Sequence, residues 1–413
     1  MASLSANLKH DGHTVRLIDL QAETLSQKAL GTILSKESPD IVGITAMTPT
    51  LGMAFDIAQL SKSLLPKVPV VFGGVHPTVS PESVFEHTSV DFIVRGEGEE
   101  VLRLLFKQGI DNPENIPGVC WRQDDGTCVI AEKAPLIKDI TKLVPPDYTS
   151  FPVERYVEYI RDLRGIRGIS MIVTRGCPYQ CSFCTVKETM GTLWRRLDPT
   201  YAVELMLKLC TDFDLEGIWF KDSIFNFSFD WTKTFAQALI AQKNPYQFQI
   251  NTRVDLVRQE ELSLLKEAGL RQVDLGIESG SSKSLQKLKK NITRDQIVVS
   301  VKLLKRAGIQ ISGFFMIGIP GETEEDVAET ISLVKELDLD RASVSIYTPL
   351  PGSELYNQLF LEGRITNDPN AFVYHHFTEA QESFCDIPIE RLKNIYEGMN
   401  RLFCNKIFTK NQR

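Results

Sequence analysis

The sequence predicts an α/β protein built as two successive β/α series, the second forming a partial (β/α)6 barrel with a helical segment after it. Three observations predict this. Across the first 110 or so residues, short β-branched and apolar runs alternate with segments of helical spacing. From Gly168 onward six more such runs recur, each followed by a helical pattern. Strands that read as continuous apolar runs, rather than as alternations, are those of a parallel sheet covered on both faces.

Taken in order, Val15 to Leu20, Ile41 to Ala46, Val68 to Phe72 and Phe92 to Val94 are the strands expected of the first series. Glu23 to Ser35, Met53 to Leu65 and Glu99 to Gln108 carry the helical spacing between them. The turns Gly73-Gly74 and Gly96-Glu97-Gly98 follow strands, the position at which open α/β sheets bind ligands. Residues 1–115 make this domain. Val119 to Gln123 and Thr127 to Ala131 flank Asp124-Asp125-Gly126, a hairpin signal. With Pro135, Pro145, Pro146 and Pro152 after it, the stretch 116–155 reads as a bridge, with the boundary at about residue 150. The barrel, 156–365, is expected to use strands at Ile169 to Thr174, Gly217 to Lys221, Phe248 to Asn251, Gln272 to Ile277, Ile311 to Ile317 and Ala342 to Tyr347. Helices are expected at Ala202 to Leu209, Trp231 to Ala241, Gln259 to Ala268, Arg294 to Ala307 and Thr323 to Leu337. Residues 366–413 form a C-terminal helical extension, with Leu392, Ile395, Tyr396, Met399, Leu402 and Phe403 on one stripe.

Composition narrows the function. With 46 Lys and Arg against 53 Asp and Glu, the net charge of −7 argues against a surface that coats nucleic acid. No apolar run approaches the roughly 20 residues of a membrane span, and the first ten residues lack the pattern of a signal peptide. Eight cysteines, three of them bunched, suit metal-bound thiolates in a reducing cytoplasm better than a disulfide scaffold.

The bunched three are Cys177, Cys181 and Cys184, in Thr174-Arg175-Gly176-Cys177-Pro178-Tyr179-Gln180-Cys181-Ser182-Phe183-Cys184. A C-x3-C-x2-C loop offers one thiolate too few for a four-iron cube and leaves one iron open. Structural zinc wants four closed ligands. Cys210 continues a helical run and His375 and His376 are remote, so the loop favours an iron–sulfur cluster.

A loop of this kind after the first strand of a partial barrel resembles the radical S-adenosylmethionine (SAM) superfamily, with Phe183 matching its usual aromatic. The resemblance spans about residues 165 to 355. It implies a 4Fe-4S cluster whose open iron is chelated by the methionine moiety of SAM, reductive cleavage of the sulfonium, and a 5′-deoxyadenosyl radical. It also implies contacts at the strand ends. Asp222, in Trp219-Phe220-Lys221-Asp222-Ser223-Ile224-Phe225, matches the acceptor for the SAM amino group, a reading favoured over the alternative of a helix N-cap; relatives usually carry a second acidic or amide residue at Ser223. Arg253 is the candidate for the SAM carboxylate, or the partner of Asp255. Glu278 and Ser279 match the ribose motif. Ile317 and Gly318 fall in the adenine segment, and Tyr347 ends the sixth strand at the pocket floor.

The first domain resembles the cobalamin-binding domain that precedes the barrel in one subfamily. Thr45 and Thr48, Gly73, Gly74 and His76, then Gly96 and Glu97 are the positions this implies for cobalamin contact. Full members open with an apolar strand and loop ahead of the first helix, whereas this chain starts in that helix, so the Rossmann-like sheet is expected to lack its first strand. Asp11-Gly12-His13 imitates the start of a cobalt-ligand motif, but Arg16 stands where that motif has glycine. His13 is therefore read as a turn residue, leaving the lower axial position free of protein histidine.

The resemblance implies a cytoplasmic enzyme that takes an electron from a donor such as flavodoxin or ferredoxin and methylates a carbon of a small-molecule substrate. Oxidative cyclisation, as in anaerobic magnesium-protoporphyrin ester cyclases, is the alternative. A transfer-RNA methylthiotransferase is disfavoured by the net charge and the helical C-terminal segment. A cluster- or cobalamin-bearing binding protein without catalysis is the rival from outside enzymes.

Overall fold

The computed structural model describes residues 1–110, 112–366 and 382–410, without the side chains beyond Phe403. The chain divides into two compact units. The first holds Met1–Tyr156, Thr185–Gly191 and the segment that begins at Leu350; the second holds Val157–Cys184, Thr192–Pro349 and the C-terminal helix.

The first unit is built on a five-stranded sheet in the order β1 (Val42–Thr45), β2 (Val70–Gly73), β3 (Phe92–Val94), β4 (Val119–Arg122), β5 (Cys128–Val129). The first three strands are parallel, in the register Ile44↔Phe72 and Phe72↔Ile93. The hairpin expected as a bridge instead extends this sheet: β4 pairs antiparallel with β3 through Val94↔Val119. Val119 and Ile116 are buried with Val71, Val94, Val101 and Leu105, so this edge shares the core of the unit. The Pro-rich stretch also belongs here, returning to the N-terminal helix Ala2–His10 through Lys9 Nζ–Asp147 at 2.7 Å.

Val15 to Leu20 is not a strand. It joins no ladder among the described residues, and its end caps the short helix Leu20–Glu23, with Asp19 accepting from the Gln21 and Ala22 amides. A strand needs a neighbour for its backbone groups, and apolar content does not supply one. The turn reading of His13 fits the geometry: Gly12 sits at φ +93° and the His13 ring packs edge-on against Phe106.

The second unit is a parallel half-barrel in the order β6 (Gly168–Met171), β9 (Gly217–Phe220), β10 (Gln247–Arg253), β11 (Leu270–Glu278), β12 (Gln310–Ile317), β13 (Arg341–Ile346). After β6 a small antiparallel ribbon, β7 (Thr174–Arg175) with β8 (Arg195–Arg196), brackets the cysteine loop. Helices Pro199–Asp212, Phe229–Ala241, Gln259–Glu267, Arg294–Arg306 and Glu324–Glu336 cover the outer face. Four of the five starts, all but that of Gln259–Glu267, are set by side chains that accept orphan amides. Asp198 and Ser228 cap two of them, and Thr293 and Thr323 close capping boxes with Gln296 and Asp326. Outward residues of β9 and β10 enter an aromatic cluster of Phe220, Phe225, Trp231, Phe235 and Phe248, ring centroids 4.8–6.4 Å apart. That packing leaves Gln249, Asn251 and Arg253 of β10 on the inward face, with Trp219 of β9 beside Gln249.

Of the C-terminal extension, 367–381 lies outside the described residues, His375 and His376 with it. The helix Ile389–Lys410 packs on the second unit beside β13, with Leu392, Met399 and Phe403 buried and the Phe403 ring stacked on Phe315.

Candidate functional site

The cysteine loop leaves the carboxyl end of the barrel's first strand and is pinned from below. Ser182 donates its amide to the Leu288 carbonyl at 3.1 Å and its hydroxyl to the Lys287 carbonyl at 2.7 Å. Cys177, Cys181 and Cys184 are half-buried and in no disulfide. Burial pushes the Cys177 thiol above its ordinary value, so thiolates there require cationic company. Arg253 supplies it: Nη1 lies 3.5 Å from Cys181 Sγ, and the guanidinium stacks 3.7 Å from the centre of the Tyr179 ring. Among the described residues no three His, Cys, Asp or Glu side chains converge as the ligands of one ion would. Three thiols on a loop beside an arginine fit a cluster, which spreads its ligands wider.

Arg253 is heavily engaged. Nε donates to Asp255 Oδ1 at 2.9 Å, and Nη2 donates to the Lys290 carbonyl. The salt bridge to Asp255 weighed from the sequence therefore exists, and the same side chain borders the cysteine loop. Lys290, which the sequence does not single out, closes the arrangement by pairing with Glu278 at 2.8 Å. No pattern marks a lysine that meets its partner across a strand end and a loop. Glu278 holds φ +67°, uncommon for a residue with a side chain, and the ladder between β11 and β12 shifts register beside it.

Asp222 is fully buried. Its Oδ1 accepts the amides of Val173 and Thr174, the residues that lead into the cysteine loop. Burial raises its carboxyl to about 7 against those bonds. It caps no helix, since Ser228 does that for the next one. Oδ2 has no partner, and neither has Oδ1 of neighbouring Asn251, whose Nδ2 donates to the Asp222 carbonyl at 3.1 Å. Two orphaned acceptors at one strand end fit a cationic donor such as an amino group.

The remaining expected contacts follow round the rim. Ser279 is buried, its hydroxyl 2.9 Å from Thr330 Oγ1 and accepting from the Ser281 amide. Past β12, the amides of Gly318 and Ile319 donate to Glu322 Oε2 at 2.7 and 3.2 Å; burial lifts Glu322 to about 7. Glu322 thus shapes the loop that carries Gly318, while Ile317 lies buried at the end of the strand. Tyr347 is buried against Phe384, with its hydroxyl unpartnered. Phe183 is half-buried inside the cysteine loop.

In the first unit, the loops after β1, β2 and β3 meet at one end of the sheet. Thr45 is exposed there, and Gly74 sits at φ +102°, where a Cβ would lie 2.7 Å from Thr45 Oγ1. That close approach keeps the backbone bare, as a bulky ligand laid across the strand ends requires. The Gly96 amide donates to Thr78 Oγ1, and Gly73 ends β2. Three expected contacts turn inward instead. His76 is buried with Nδ1 3.0 Å from Thr48 Oγ1 and Nε2 2.9 Å from Ser83 Oγ, and burial lowers it to about 4. Thr48 is buried as its partner, and Glu97 is buried accepting the Ile137 amide at 2.8 Å. These three shape the loops on which the others stand.

Comparison with known proteins gives two family matches along the chain. The family model for the radical SAM superfamily matches residues 171–334, and that for the B12 binding domain matches residues 1–106. An uncharacterized methyltransferase of Pyrococcus horikoshii is 31% identical over 394 residues, 92% of this chain and 83% of that one. The anaerobic magnesium-protoporphyrin IX monomethyl ester cyclase of Rubrivivax gelatinosus is 30% identical over 99% of this chain and 74% of its own. The fold is shared with the radical SAM methyltransferase TsrM of Kitasatospora setae, solved with cobalamin and a 4Fe-4S cluster bound. There the TM-score is 0.73 at 21% identity, over 87% of this chain and 71% of that one. A three-cysteine loop on a half-barrel that follows a cobalamin-type domain in the chain defines a radical SAM enzyme. The chain belongs to the radical SAM superfamily, in the branch that carries a cobalamin-binding domain, and its cofactors are a 4Fe-4S cluster, SAM and cobalamin.

Proposed function

We propose that the protein is a cobalamin-dependent methyltransferase acting on a carbon of a small-molecule substrate. The observation that carries this reading is likeness to a methyltransferase along 92% of the chain, through both the cobalamin-type domain and the barrel. With its cofactors bound, the centre supplies a carbon radical on the substrate and a methyl group to meet it.

The residues divide that work. Cys177, Cys181 and Cys184 hold the cluster, and Arg253 keeps their sulfurs anionic while its Asp255 and Lys290 ties fix its position. Asp222 Oδ2 and Asn251 Oδ1 accept the amino group of SAM. Glu278 faces the ribose, with Ser279 turned inward to Thr330 and shaping the turn behind it; Ile317 and the Gly318 backbone face the adenine, and Tyr347 closes the pocket beside them. Thr45, Gly73, Gly74 and Gly96 form the cobalamin-facing surface, with Thr48, His76 and Glu97 behind. A flavodoxin or ferredoxin of the cytoplasm supplies the electron.

Cyclisation is the second reading, favoured by the likeness to the cyclase over 99% of the chain. Product analysis separates the two. Anaerobically reconstituted enzyme given SAM, reductant and substrate forms 5′-deoxyadenosine and S-adenosylhomocysteine together in methyl transfer. 5′-Deoxyadenosine without S-adenosylhomocysteine selects cyclisation.

A further inference from the structure

We propose that the barrel lumen carries a carboxylate-binding subsite centred on Lys221, so that the substrate is an apolar carboxylic acid. The inference rests on the lumen being the substrate chamber of the radical SAM enzyme. Lys221 continues the β9 ladder, its amide donating to the Met171 carbonyl at 2.8 Å, and its side chain shares the inward face with Trp219. It is exposed in the lumen, with its ammonium 3.8 Å from the centre of the Trp219 ring. No Asp or Glu among the described residues pairs with it. The acid of that face, Asp274, accepts from Arg164 at 2.8 Å and from Gln272 Nε2 at 2.9 Å, both through Oδ1, and its Oδ2 has no partner. Arg164 lies 3.7 Å from the same indole centre. Two cations thus share one ring, Arg341 lies within reach of the same pair, and Asp274 is the carboxylate that acts on all three, so positive charge is in excess there.

A second observation points to the same ligand. Gln249 is the register partner of Trp219, is fully buried on the inward face, and has no hydrogen-bond partner for either amide atom. Buried amides are rarely left so. An ammonium that no carboxylate pairs with, beside one amide donor, suits a monoanionic carboxylate; a phosphate dianion draws several cations or backbone amides directly onto it. Exposed Ile172 (48%) and half-buried Phe314 and Met316 stand further along the inward face and offer the body of the ligand an apolar wall.

The residue expected to meet the carboxylate of SAM is Arg253, not Lys221. Arg253, which touches Cys181, lies four residues above Gln249 on β10. At about 3.3 Å per residue Arg253 stands about 13 Å above Gln249 and about 7 Å above the level of Lys221, so the effect of Lys221→Gln on SAM affinity distinguishes a substrate carboxylate from that of SAM.

The test uses cluster-loaded protein with SAM, titrated calorimetrically with 4-phenylbutyrate and with 4-phenylbutyramide. The acid should bind at least tenfold more tightly than the amide. Lys221→Gln should erase that preference, Lys221→Arg should restore it, and Gln249→Leu should reduce it at least threefold, each with wild-type iron content. SAM affinity, read from its effect on the cluster's electron paramagnetic resonance signal, should not change in Lys221→Gln. Equal binding of acid and amide, no binding of the acid below 10 mM (about the weakest affinity such a contact gives), or a preference that survives Lys221→Gln overturns the subsite. A tenfold loss of SAM affinity in Lys221→Gln assigns the carboxylate to SAM and overturns it equally. Each readout is a binding constant, so failure of the methyl-transfer reading, seen in products, stays distinguishable.

Discussion

At the scale of single residues, the site rests on charge placed where burial opposes it. Cys181 illustrates this, with its sulfur 3.5 Å from Arg253. Replacing it by Ala removes one of three ligands; iron content should fall to background and reductive SAM cleavage should cease, as measured by iron assay and 5′-deoxyadenosine formation. Asp222 carries the opposite strain. Its carboxyl sits near 7 because of burial, against about 3.8 in the unfolded chain. Between those values the native state holds a proton that the unfolded state has lost, so stability falls as pH rises from about 4 to about 7. The slope is at most about 1.4 kcal/mol per pH unit. Asp222→Asn keeps an acceptor for the Val173 and Thr174 amides and should flatten that dependence in melting curves taken without SAM. In the wild type, SAM should bind more tightly at pH 8 than at pH 6, because its amino group needs the ionised carboxylate. The cysteines were legible in sequence because three thiols at that spacing suit a metal cluster and little else. The Lys290–Glu278 pair and the Glu322 anchor of Gly318 were not, because each depends on which strand ends the barrel brings together.

At the scale of elements, the strands and helices of the barrel stand where apolar periodicity places them, within a few residues. The failures have one cause, partnership. Val15 to Leu20 has the composition of a strand but no neighbour, whereas the residues around Asp124-Asp125-Gly126 form a strand pair whose first member finds β3. The ribbon of Thr174–Arg175 with Arg195–Arg196 is two residues a side and too short for any periodic signal. Strand spacing inside the barrel makes its own demand on sequence. A Cβ on Gly217 would lie 2.2 Å from the Gln247 carbonyl oxygen, so Gly217→Ala must push β9 and β10 apart. The expected cost is roughly 1–3 kcal/mol, visible as a lower urea midpoint with unchanged slope. A midpoint equal to wild type would mean that β9 and β10 are not packed as described.

At the scale of the whole molecule, each unit carries part of the chemistry: the half-barrel the cysteines, the first sheet the bare strand ends around Gly74. The order of the two β/α series was plain from the sequence. The discontinuity of the first unit was not, because Thr185–Gly191 and the segment from Leu350 join it through contacts distant in sequence. Everything proposed for the barrel depends on SAM binding directly to the open iron of a cluster held by Cys177, Cys181 and Cys184. Electron paramagnetic resonance of the reduced, anaerobically reconstituted protein, recorded with and without SAM, decides whether it does. Direct chelation should shift the g values of the cluster signal when SAM is added; a signal that SAM leaves unchanged would mean that the open iron does not take it.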